Sequence, residues 1–130
     1  MTTTTEVSTI KITLSDARPI RIVEADWPLV AEGEGYSGQY DFQSFDGVWI
    51  RVRQHTTDGR AIVYGYAGDW DGGGRPDREN LRAGFLVPAN WDVVRAIRRV
   101  AGILEGTAHV GELAHVAARA CIANLPAKEI

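Results

Sequence analysis

Trp49, Arg51, Arg53 and His55 stand at every second position of one stretch, and Ile62, Tyr64 and Tyr66 do the same in the next. Successive strand side chains point to opposite faces, so this alternation puts all of them on one side of a β-hairpin. With Asp58 and Gly59 as a two-residue turn, Arg53 faces Tyr64 and Arg51 faces Tyr66. The other side then carries Val48, Ile50 and Val52 against Ala61, Val63 and Gly65, a seat for a helix. That arrangement leaves the arginine and aromatic side facing outward. Its chemistry is recognition: Tyr, Trp and Arg are enriched at interface hot spots, and rings beside guanidinium groups also stack nucleic acid bases. The bland alternative is a cross-strand cation–π pairing that needs no ligand.

A second candidate is the glycine-rich loop 68–80, where Trp70 sits between Asp69 and Asp71 with no core in the pattern to receive it. Loops of this length in compact domains are usually either functional or disordered. Asp69, Asp71 and Gly74 match three positions of an EF-hand calcium loop, but Gly73 stands where an oxygen ligand is needed, Asn80 stands where a bidentate Glu is needed, and both flanks read as strands. No metal is expected there. His109, His115 and Cys121 recur at intervals of six, which on a helix turns successive members about 120° apart, so they cannot converge on one ion. Cys121 lies beside an apolar stripe and reads as a small buried hydrophobe. The chain has no Gly-x-Ser-x-Gly, no phosphate-binding loop ending in Lys-Ser or Lys-Thr, and no paired Cys-x-x-Cys. Neither a catalytic centre nor a cofactor is expected.

Arg95, Arg98 and Arg99 form a possible secondary basic patch, open to solvent or paired with the acids of 24–46. Residues 1–47 hold eight acids against three bases, whereas 81–105 reverse the sign. The overall formal charge of −3 is too small to coat nucleic acid or to imitate its backbone. Twelve of the fourteen bases are arginine, the residue suited to planar bidentate contacts. One cysteine cannot form an intramolecular disulfide, no apolar run is long enough to span a membrane, and the first residues lack the features of a signal peptide. The expected location is cytoplasmic.

The elements that must position these residues follow from periodicity. A polar lead-in (1–8), expected to be disordered, precedes strands near 10–14 and 20–23. Asp26, Trp27 and Pro28 suggest the start of a short helix that Gly33 and Gly35 end. A strand over 36–45, the hairpin 48–67 and a strand over 81–87 come next. Asn90 is placed to cap a helix over 91–105 with Val94, Ile97, Ala101 and Leu104 inward, ended by Gly106. A last helix within 108–123 would bury Leu113, Val116, Ala117 and Ala120 before Asn124 and Pro126 stop it. The expected fold is one α+β domain over 1–130, an antiparallel sheet of about five to six strands packed against two C-terminal helices.

Several segments together carry a resemblance: Ile10–Leu14 leading to Ala25–Ala31, Trp49–His55 with Asp58–Gly65, Arg82–Leu86 with Asp92–Ile97, and Cys121–Ala127. In this layout the chain resembles small accessory proteins encoded on conjugative plasmids and integrative elements of proteobacteria. The resemblance implies a non-enzymatic inhibitor of bacterial immunity, of anti-CRISPR type, that binds a Cas or other host defence protein. Trp49, Arg51, Arg53, Tyr64, Tyr66, Asp69, Trp70 and Asp71 are the expected partner contacts. The alternative is a small nucleic-acid-binding module that uses the same arginine and aromatic face.

Overall fold

The computed structural model describes residues 7–15, 18–36, 47–68, 81–108 and 111–126. Its elements run β1 (Thr9–Thr13), β2 (Pro19–Val23), β3 (Leu29–Tyr36), β4 (Gly47–Gln54), β5 (Ala61–Gly68), β6 (Leu81–Val87), α1 (Val93–Ala108) and α2 (Glu112–Ala123). This is the expected α+β class. Strands β3 to β6 form an antiparallel meander in chain order, and β1 and β2 form a separate two-stranded sheet. The molecule has three layers, with both helices on one face of the meander and the β1–β2 hairpin on the other. Among the described residues no helix is long and apolar enough to cross a membrane.

The helical layer packs on the side the alternation predicts. Val48, Ile50 and Val52 of β4 and Ala61, Val63 and Ala67 of β5 meet Ile97, Val100, Ala101 and Leu104 of α1 in one buried cluster. Gly65 leaves room for that contact, since a Cβ there would come within 3.0 Å of Val100. Helix α1 starts later than expected. Asp92, not Asn90, caps it, with Oδ1 accepting from the backbone of Val94 at 3.0 Å and Arg95 at 3.4 Å. Trp91 therefore precedes the helix and is 68% exposed. The exposed Gly106 does not end α1, which continues to Ala108.

The segment read as a short helix is instead strand β3. Asp26 and Trp27 form a turn, both donating to the Val23 carbonyl, and the chain then alternates Ala31, Gly33 and Gly35 with Glu32, Glu34 and Tyr36. The small residues face α2 so closely that a Cβ on Gly33 would lie 2.1 Å from the Ala117 carbonyl oxygen. A seat of this kind admits only small side chains. Helix α2 accordingly buries Ala114, Ala117, Ala118 and Cys121, and Val116, expected inside, is 38% exposed. Asn124 ends α2 as expected. Of the strand expected over 36–45, Tyr36 closes β3 and the remainder lies outside the described residues.

Candidate functional site

The hairpin keeps its predicted faces but not its predicted register. Trp49 pairs with Tyr66, Arg51 with Tyr64, and Arg53 with Ile62. Pairing extends to His55, whose N–H donates to the Arg60 carbonyl at 2.7 Å. A four-residue loop, Thr56 to Gly59, therefore replaces the two-residue turn. Its chemistry is local: the His55 Nδ1 accepts from the Thr57 amide, Asp58 accepts from both the backbone and the side chain of Arg60, and Gly59 takes φ +75°. The Arg60 backbone donor, with burial opposing it, draws the Asp58 carboxyl below its usual value. A slip of two residues preserves the side-chain faces, because strand side chains alternate with period two.

Half of that outer face is covered, which corrects the expectation that all of it points to solvent. The β1–β2 hairpin lays Ile12 and Ile22, with Trp27, over Ile62 and Tyr64. Tyr64 is 9% exposed and Arg53 only 8%. Arg53 donates Nε to the Tyr64 hydroxyl at 2.9 Å and Nη1 to the Trp27 carbonyl at 3.2 Å. Tyr64 belongs to the core and Arg53 to the floor of a groove beside β1, so neither projects freely to solvent. The covering was illegible because strand alternation sorts faces without saying which distant segment lies upon each.

The other half of the face is exposed at Glu32, Glu34, Tyr36 and Arg82, residues the sequence reading missed. The β3 register sets Glu32 opposite Arg51 and Glu34 opposite Trp49, and on β6 Arg82 lies opposite Tyr66. Trp49, itself buried, stacks on Tyr66 with ring centroids 5.0 Å apart and meets Tyr36 edge-on at 5.9 Å. The Arg51 and Arg82 guanidinium carbons lie 5.7 and 5.9 Å from the Tyr66 centroid. Tyr36 is 49% exposed and donates its hydroxyl to Glu34. That bond, followed by desolvation, holds the phenol above its usual pKa. Arg51 also bonds Glu32 at 3.2 Å. Burial works against its charge, but Tyr66, Tyr64 and Glu32 outweigh it and the pKa is raised. The alternation of Glu32, Glu34 and Tyr36 was the signal that would have added β3 to this face.

A groove of about 340 Å³ runs between β1 and this open half, with Lys11, Arg51, Arg53 and Arg82 and no acid among its described lining residues, although Glu32 reaches Arg51 from β3. A larger hollow of about 570 Å³ lies between the start of α1 and the end of α2, beside Trp91. Its one charged side chain, Asp92, is engaged as the helix cap.

The remaining expectations divide. Asp69, Trp70 and Asp71, and the whole loop 69–80, lie outside the described residues, as does His109. Arg95 and Arg98 are exposed, and Arg99 lies 4.8 Å over the Phe85 ring. Among the described residues none of the three forms an ion pair with the acids of 24–46. His115 bonds Glu105 at 2.7 Å. Among the described residues no group of three His, Cys, Asp or Glu side chains is placed to hold a metal ion. Cys121 is fully buried, and burial pushes its thiol up to about 11. It should resist iodoacetamide at pH 8 in the folded chain and react once urea unfolds it; rapid folded-state alkylation would contradict this burial.

No family model, no curated protein and no solved structure matches the chain.

Proposed function

We propose that this chain is a binding protein and not an enzyme, and that it docks a protein partner on the open half of its outer sheet face. The carrying observation is the cluster of Tyr36, Tyr66, Arg51 and Arg82 around Trp49, rimmed by Glu32 and Glu34. Rings and guanidinium groups at the centre with both signs of charge around them match the composition of protein interface hot spots. Trp49 is buried and already has its ring stacked on Tyr66, so it offers a base no stacking platform. A protein therefore suits the surface better than a nucleic acid. The resemblance to accessory proteins of mobile elements makes that partner a Cas or other defence protein of a bacterial host, and the chain its stoichiometric inhibitor.

The test is titration of the purified chain into reconstituted Cas interference complexes and restriction enzymes, with DNA cleavage as the readout. One equivalent should abolish cleavage by the susceptible complex. Arg82→Glu should raise the required concentration by about tenfold or more, the scale of a hot-spot loss. Three results would each overturn the reading: no complex inhibited, inhibition at far below one equivalent, or direct DNA binding that disappears with added salt.

A further inference from the structure

Strand edges left bare are docking templates, and folded proteins usually blunt them. On β6, Gly84 is occupied on both backbone groups: its carbonyl accepts from Ser15 N–H at 2.9 Å and its N–H donates to Ser15 Oγ at 3.0 Å. On β3, the Asn124 side-chain amide donates to the Glu32 carbonyl at 2.8 Å. The outer edge of β2 begins at Pro19, which has no N–H, and ends at Val23, whose carbonyl accepts from Asp26 and Trp27. Strand β1 differs. The bonds Leu14 N–H to Arg18 and Glu24 N–H to Ser8 fix the even-numbered β1 residues as those bonded to β2. In an antiparallel pair the intervening residues direct their backbone groups away from the partner. Thr9 and Lys11 therefore turn their N–H and C=O groups to the side where no further strand pairs with β1 among the described residues, whereas the Thr13 carbonyl lies against Gly84 of β6, where a Cβ would come within 3.3 Å of it.

That edge is one wall of the basic groove, which Ile10 to Thr13 line together with Arg51, Arg53 and Arg82. Arg53 adds a second, independent observation. It is a guanidinium 8% exposed, bonded to two neutral oxygens, and among the described residues no carboxylate lies within ion-pair distance of it. A buried charge without a counter-ion is costly unless a ligand supplies one.

We infer that an extended, acidic segment of a protein partner adds to the free edge of β1 as a third strand and sets carboxylates on Arg51, Arg53 and Arg82. Main-chain bonds to Thr9 and Lys11 give affinity and the arginine floor selects acidic side chains at every second position, the division of labour of β-augmentation. The inference rests on the proposed docking face and specifies what that face accepts.

The test uses the full isotope-labelled chain and NMR, with a capped heptapeptide alternating valine and glutamate as the probe and its valine–lysine counterpart as the control. The acidic peptide should shift the Thr9 and Lys11 amides and slow hydrogen exchange at Lys11, and the lysine peptide should not. Lys11→Pro removes one outward N–H that no internal bond uses, and should weaken binding by about fivefold or more without lowering the melting temperature. Arg82→Gln should weaken it comparably. Shifts confined to arginine side chains, with Lys11 exchange unchanged, would reduce the groove to an anion site and overturn strand addition. Equal binding of the lysine peptide, stronger perturbation of these amides by a single-stranded oligonucleotide, or sedimentation as a dimer that Lys11→Pro dissolves would also overturn it. If the peptide fails while Arg82→Glu still releases a target complex, strand addition is wrong and the docking face stands. If the peptide binds while Arg82→Glu leaves inhibition unchanged, the assignment of the face to the inhibited target is the part that fails.

Discussion

Gly33→Ala is expected to destabilise the chain by about 3 kcal/mol or more, the upper range for overpacking, because the atoms in the way cannot yield. A Cβ at this position would sit 2.1 Å from the Ala117 carbonyl oxygen and 2.3 Å from the Cys121 nitrogen, both backbone atoms of α2. A flexible side chain could rotate aside; a helix backbone must translate as a body. Such a shift would lift Ala114, Ala117, Ala118 and Cys121 together out of the cluster they share with Ile50 and Leu104. Urea denaturation should show the loss, and amide exchange should place the fastest new opening in α2. Gly102→Ala is the control, since a Cβ there meets nothing within 4 Å on the exposed side of α1. It should be neutral or gain up to about 1 kcal/mol from helix propensity. A Gly33→Ala chain within about 1 kcal/mol of wild type would mean that α2 does not rest on the β3 backbone.

The same contact explains which parts of the fold were legible. β4, β5 and α1 carry their instructions within a short window: strict alternation in one case, a repeat of Ile97, Val100, Ala101 and Leu104 in the other. In β3 the inward side is Ala31, Gly33 and Gly35, and glycines at alternate positions carry no hydrophobic signal, so a capping motif followed by helix stops was the natural reading. What makes the segment a strand is its pairing with β4 beneath α2, which approaches from about eighty residues later in the chain. The burial of α2 was misjudged for the complementary reason: Val116 is the more hydrophobic choice, but only alanines and Cys121 fit where the partner strand has no side chains.

For the candidate surface, the sidedness of Trp49, Arg51, Arg53, Tyr64 and Tyr66 was legible and its accessibility was not. Period two decides which residues share a face, and it survives even the two-residue slip that the His55-to-Arg60 loop imposes. Whether a face meets water depends on where β1 and β2 come to rest. Their isoleucines announce an apolar side without naming its target, and that target is Ile62 and Tyr64. Arg53 was consequently drawn as an exposed contact although it lies beneath the hairpin, where its Nε–H has the Tyr64 hydroxyl as acceptor.

Tyr64→Ala is therefore expected to act on folding before it acts on binding. Removing a buried aromatic side chain costs about 3 to 5 kcal/mol, and here it also deprives the Arg53 guanidinium of an acceptor. Tyr64→Phe isolates the second part: it keeps the ring against Ile12 and Ile22 and deletes only the hydroxyl, for about 1 to 3 kcal/mol as a buried donor loses its partner. Thermal and urea unfolding should rank the two variants in that order. Arg82→Glu, at an exposed position on the open half of the face, should leave both transitions where they are. Partner binding then separates two causes that a binding assay alone would merge, because Tyr64→Ala loses the partner together with the native fold while Arg82→Glu loses it from a chain that melts as wild type. A Tyr64→Ala protein with unchanged melting would show that the β1–β2 hairpin does not rest on this tyrosine, and the whole outer face would again be available to a partner.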